Sequence, residues 1–143
     1  MKSTHAASKH ASRIFICYRR QDSEQAASRL AADLRRYFGR KQVFQDFASI
    51  DPGADVVETV QRGLDTCAAV LVVIGPQWLS PVDRDGRPID APGKWVRYEV
   101  AESLKRSGVR VIPVLLDDAK MPSADDVPDD LKRLADRHAF PLT

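Results

Sequence analysis

Cysteine is scarce in this 143-residue chain: Cys17 and Cys67 are the only two, each inside an apolar segment, with no CxxC pair and no Cys/His ligand spacing. That argues against a disulfide framework or a zinc site, and for two buried, reduced thiols in a reducing, cytoplasmic setting. Histidine is scarce where it would matter. His5 and His10 fall in the first dozen residues and His138 near the end, so neither a His-based triad nor a metal cluster is expected. Glycine is missing where phosphate loops need it: the first apolar run is followed by Tyr18-Arg19-Arg20-Gln21-Asp22, which supports neither a GxGxxG site nor a Walker loop. An acidic pair at that position, which a magnesium-binding receiver domain requires, is absent as well, and the arginines there would repel the metal. No apolar run is long; the longest, Ala68 to Ile74, is far short of the roughly 18 residues of a spanning helix. The opening MKSTHAASKHASR has basic residues with no apolar stretch behind them, so no signal peptide is read, and residues 1–12 are expected to form a disordered basic tail. Charge of one sign is lacking too. The 22 Lys and Arg against 20 Asp and Glu leave a net +2, which gives nucleic acid little to hold.

What remains is an ordinary globular composition, 43% apolar and 29% charged, in a chain long enough to bury roughly two thirds of its unfolded surface. Ile14 to Tyr18 is β-branched and aromatic without alternation, which predicts a central strand buried on both faces. Asp22 and Ser23 are N-cap candidates for a helix with Ala26, Ala27, Leu30, Ala31, Leu34 and Phe38 near helical spacing, closed by Gly39. Lys41 to Asp46 reads as a second strand, and FASIDPGAD after it as a loop, because Pro52-Gly53 forces a turn. Val56, Val57, Val60 and Leu64 continue as a helix, and Ala68 to Ile74 as a third strand ended by Gly75 and Pro76. Residues 80–93 hold three prolines and two glycines, a long loop of the kind that is functional or mobile, with a lid over a site as one reading. Trp95 to Arg106 is a helix with Val96, Val100 and Leu104 on one stripe. Arg110 to Leu115 is a strand in which Pro113 marks a bulge or an edge-like position. Asp129 to Arg137 has Leu131 and Leu134 at helical spacing, and Ala139 to Leu142 gives a short fifth strand. This alternation predicts a single α/β domain over residues 13–143, with a parallel sheet and helices on both faces. Ligands then bind beyond the carboxyl ends of the strands, near the switch in strand order.

The residues that meet there include Tyr18, Arg19 and Arg20, whose guanidinium forks suit phosphate but also occur as solvated loop cations. Asp46 and the Asp51-Pro52-Gly53 turn can line the cleft or contact a partner, although turn chemistry alone accounts for Asp51 and Gly53. Trp78 reads as a packing residue. In Trp95-Val96-Arg97-Tyr98-Glu99, positions four apart share a helix face, so an indole and a carboxylate stand side by side. A surface glutamate normally finds a cation one turn away; Glu99 has Trp95, Val96, Glu102 and Ser103 instead. Glu102, with Arg106 at the pairing distance, looks like an ordinary surface residue.

Four segments in this order resemble the Toll/interleukin-1 receptor (TIR) family, above all its bacterial, NAD-cleaving members. RIFICYRRQD resembles the family's first box, VFQDFASIDPGAD its second strand and BB loop, AAVLVVIGPQWL its third strand, and KWVRYEVAESL the helix that carries the catalytic glutamate. The resemblance covers about Arg13 to Leu142 and implies a flavodoxin-like sheet of five parallel strands. It implies self-association, or association with other TIR domains, through the BB loop (Ile50, Asp51, Pro52, Gly53). It further implies hydrolysis or cyclisation of NAD, taken as a substrate rather than held as a cofactor. On this likeness Glu99 matches the catalytic glutamate, Trp95 the aromatic residue one turn before it, and Tyr18, Arg19 and Arg20 the motif at the cleft mouth. The loop at 80–93 departs from many animal relatives in its length and charge. Other members of the family are non-catalytic adaptors that work by TIR–TIR contact, which is the rival expectation.

Overall fold

The computed structural model describes residues 12–45, 53 and 55–142. Most of the expected tail lies outside them, as do Asp46, Ile50, Asp51 and Pro52. The sheet is built around the two most apolar segments. β1 (Arg13–Tyr18) buries Phe15, Ile16 and Cys17 in succession, and β3 (Cys67–Ile74) buries Val72, Val73 and Ile74. Successive strand residues point to opposite faces, so such runs demand cover on both sides. With β2 (Val43–Phe44), β4 (Arg110–Leu116) and β5 (Phe140–Leu142) they form one all-parallel sheet in the order β2-β1-β3-β4-β5, the flavodoxin-like arrangement.

α1 (Arg20–Phe38) covers one face. Its Ala27 and Ala31, one turn apart and fully buried, bring the helix close to Ile16, Val73 and Val114. Gly39, at φ 97°, ends it by returning its N–H to the Arg35 carbonyl at 2.8 Å. The opposite face takes α2 (Val56–Asp65), α3 (Lys94–Lys105) and a 3-10 segment at Asp129–Asp136. From these, Val60, Leu64, Val100, Leu104, Leu131 and Leu134 pack with Phe15, Cys17, Val70 and Val72. Asp55 caps α2, its carboxylate accepting the Glu58 N–H at 3.1 Å. Trp78, which no solvent reaches, plugs this larger core from the turn after β3. Both cysteines are buried thiols rather than halves of a disulfide, and burial pushes the Cys67 thiol up to about 11, so it stays neutral. No helix among the described residues is long and apolar enough to cross a membrane.

Three elements differ from the sequence reading, and at Pro113 the structure selects one of the two alternatives. β2 has two residues rather than six, because Arg40–Gln42 is a 3-10 turn and the strand has only β1 as a neighbour. The segment around Leu131 and Leu134 is 3-10 rather than α: residues three apart eclipse in that helix, so both leucines enter the core together. α1 starts at Arg20, three residues before the start that an Asp22 cap implies, with Ser23 at φ −148° interrupting it; Asp22 is therefore available to work elsewhere. Pro113 is edge-like without a bulge: it pairs with Val72 of β3, while the ladder to β5 starts only at Val114. The register shift falls at Arg13/Ile14 instead.

Candidate active site at the carboxyl edge of the sheet

The chain leaves β1 for β2 on one side and returns to β3 on the other, which opens a crevice at the carboxyl ends of β1 and β3. Tyr18, half-buried, ends β1. Arg19 follows and is 4% exposed. Its guanidinium donates to three backbone carbonyls of the segment after β3, those of Gln77 (3.0 Å), Trp78 (2.8 Å) and Val82 (2.9 Å). Burial lowers its pKa, opposed by the charges of Asp22 and Asp83. Arg19 is thus a strap across the crevice floor. Arg20, exposed at the first position of α1, is the guanidinium at the surface.

Asp22, one turn on, completes the clamp. One carboxylate oxygen accepts the Gly75 N–H at 2.7 Å and the other the Gln77 N–H at 2.6 Å. Burial raises its pKa, partly offset by these two N–H groups and by Arg19. Gly75 is required for this approach: a Cβ there would stand 2.6 Å from Asp22 Oδ1. Gly75→Ala is therefore expected to cost about 2 kcal/mol by overpacking. A urea titration should show the loss, whereas Gly108→Ala, with nothing within 4 Å of the new methyl, should leave the midpoint unchanged.

Glu99 sits on α3 with its side chain turned toward β1. It is 8% exposed, and its Oε1 accepts a hydrogen bond from the Cys17 thiol at 3.3 Å. Cys17 is the next-to-last residue of β1, so the carboxylate lies against the carboxyl end of a central strand beside the switch point. Trp95, one turn earlier, is 43% exposed. Its ring meets Tyr98 edge-on at 6.2 Å and has the Lys94 ammonium 5.1 Å from its centroid. It lines a cleft of about 800 Å³ with Val57, Ile89, Lys94, Arg97, Tyr98 and Asp130 among its walls. Glu99 is not part of that lining. The indole and carboxylate share a helix face, but the indole stands at the rim and the acid goes inward.

Glu102 is not the surface residue its sequence context suggested. It pairs with Arg106 at 3.4 Å as the spacing implies, yet it is 9% exposed and also takes hydrogen bonds from Gln61 (2.7 Å) and Lys105 (2.9 Å), tying α3 to α2. Burial alone would raise its pKa; the bonds from Lys105 and Gln61, the Lys105 charge and Arg106 together hold it below the usual value. A carboxylate with a depressed folded pKa stabilises above its unfolded pKa and loses that contribution as pH falls through the folded one. Glu102→Gln should therefore cost about 2 kcal/mol near neutrality. Paired melting curves should show the gap to the parent closing as the pH is lowered through the carboxylate range.

Residues 80–93 are ordered by their own bonds. Asp83 Oδ1 accepts from the Asp85 (2.8 Å) and Arg87 (2.9 Å) amides, Val82 bridges Pro88, and Gln21 joins Arg19 on the Val82 carbonyl. The loop is a small hairpin with an anchored base. Sequence reasoning missed that anchor and the Cys17 contact, since both pairings span more than 50 positions. Of the proposed loop contact residues only Gly53 is described, exposed and at φ 87°. Among the described residues no three His, Cys, Asp or Glu side chains gather as metal ligands.

A doubly wound parallel sheet in the order β2-β1-β3-β4-β5 defines a flavodoxin-like α/β domain. The family is narrower than that: residues 14–143 match the model of the TIR domain, and the chain belongs to that family. No curated protein matches it. Among solved structures it is similar to the TIR domains of the activated Roq1 resistosome, which directly recognises the pathogen effector XopQ. That likeness has a TM-score of 0.68 at 13% identity over 92% of this chain and 88% of the other, and it speaks to the fold.

Proposed function

We propose that this TIR domain cleaves the nicotinamide–ribose bond of NAD, releasing nicotinamide with ADP-ribose or a cyclic isomer, in the manner of the family's NAD-cleaving members, and that self-association activates it. The observation that carries the reading is Glu99: an acid 8% exposed, held by a thiol at the carboxyl end of β1, beside the crevice where doubly wound sheets take their ligands. Loss of nicotinamide leaves positive character on the ribose, and a preorganised carboxylate at that sugar stabilises the oxocarbenium-like transition state. In this reading Trp95, half exposed at the rim, stacks on the substrate. Arg20 meets the phosphates, because Arg19 spends its fork on carbonyls; Tyr18, at the end of β1, lines the mouth, and Asp46, outside the described residues, is the further substrate-binding residue of this reading.

Concentrated protein incubated with NAD should release nicotinamide, with chromatography separating linear from cyclic product. If none appears from the concentrated, assembled protein, the domain is an adaptor acting by contact with other TIR domains, Ile50 to Gly53 forming its interface.

A further inference from the structure

The alternation of β1 sorts its side chains by face. Ile16 and Tyr18 turn toward α1, while Phe15 and Cys17 turn toward the core under α2 and α3. Cys17 is therefore the last residue of β1 on the side where α3 passes. Its thiol lies against the carboxylate of Glu99, 82 positions away in the chain, with Sγ donating to Oε1 at 3.3 Å. Both partners are buried, and Cys17 keeps only 1% of its surface exposed.

The helix under Glu99 is a firm frame. Ser103, which no solvent reaches, donates its hydroxyl to the Glu99 carbonyl at 2.7 Å, and Val100 and Leu104 of the same helix sit in the core. That frame decides where the side chain starts but not where its carboxylate ends, because a long glutamate side chain keeps its rotamer freedom until something holds the far end. The thiol supplies that hold from another element, and β1 is itself paired on both sides, by β2 and β3. An S–H group is a weak donor, yet a carboxylate acceptor strengthens the bond. The position of the acid is thus referred to the centre of the sheet, beside the crevice, as well as to its own helix.

We infer that Cys17 is a positioning residue, its thiol holding the Glu99 carboxylate in the orientation that serves the ribose. The inference rests on the proposed cleavage of NAD by Glu99 and adds to it a side chain that does not touch the substrate. A reacting group displaced by about 1 Å can cost about a hundredfold in rate, so loss of the bond acts on turnover rather than on NAD binding.

Two substitutions and one spectrum test it. Cys17→Ala and Cys17→Ser remove the same sulfur and leave similar space, so they should melt close together, but only serine keeps a donor. In nicotinamide release from NAD, Cys17→Ala should lose about tenfold in kcat with KM unchanged, and Cys17→Ser should recover most of that loss. A merely structural role would lower both variants alike. Infrared spectra of the full chain read the bond without substrate. The chain has two S–H stretches, from Cys17 and Cys67, and the Cys17 band is the one missing from Cys17→Ala. Glu99→Gln should move that band to higher frequency and leave the Cys67 band in place, because an amide oxygen accepts more weakly than a carboxylate. The inference is overturned if Cys17→Ala turns NAD over at the parent rate, if Cys17→Ser falls as far as Cys17→Ala, or if the Cys17 band ignores Glu99→Gln. In the first two cases the parent still cleaves NAD, so the positioning role falls alone; a parent that releases no nicotinamide takes the NAD reading down and this role with it.

Discussion

Glu99→Ala is expected to lower nicotinamide release from NAD by two to three orders of magnitude, roughly the loss seen when one preorganised transition-state contact is removed. The fold should survive. Glu99 is one of the few charged groups in the described interior, and removing a buried charge relieves desolvation even as it costs the Cys17 hydrogen bond. Glu99→Gln sharpens the result, because the amide keeps the shape and discards the charge. Both variants should lose turnover while melting near the parent temperature. A purified Glu99→Ala protein that turns NAD over at the parent rate would remove the enzymatic reading.

The second large effect concerns Arg19. Truncation to Ala should destabilise the domain by about 3 kcal/mol, since the carbonyls of Gln77, Trp78 and Val82 would lose a buried charged donor together. Arg19→Lys is the more telling change: it keeps the cation a phosphate would want but cannot reproduce a planar fork that reaches three acceptors. If Arg19 is the strap described above, the lysine variant loses stability by calorimetry much as the alanine variant does. If it acted on the phosphates, the lysine variant would melt normally and show only a raised KM.

The core was legible because burial writes itself into the sequence. IFICY and AAVLVVI have no polar alternation, which only a strand covered on both faces tolerates, and the helices between them show their buried stripes at helical spacing. Local statistics failed where a side chain had two possible partners. Asp22 has the chemistry of a helix cap, yet it serves the amides of Gly75 and Gln77, which the fold brings beside it across more than 50 positions. Glu102 has a cation at the pairing distance, which by itself predicts an exposed residue. The structure buries it because α2 lies across that side of α3, and Gln61 then competes with water for its oxygens. The two loop arginines looked alike in sequence; one is a buried strap and the other stands at the surface.

By itself the sequence determined the parallel α/β class, the order of strands and helices, and the small set of groups that could meet at the carboxyl edge. Those follow from hydrophobic periodicity and from turn-forming residues, which act over a few positions. Only the tertiary structure decided which of those groups faces inward, and that Glu99 leans on Cys17 while Trp95 stays at the rim. Such contacts join residues far apart in the chain, and their geometry is set by how helices pack across a twisted sheet, which no local spacing encodes.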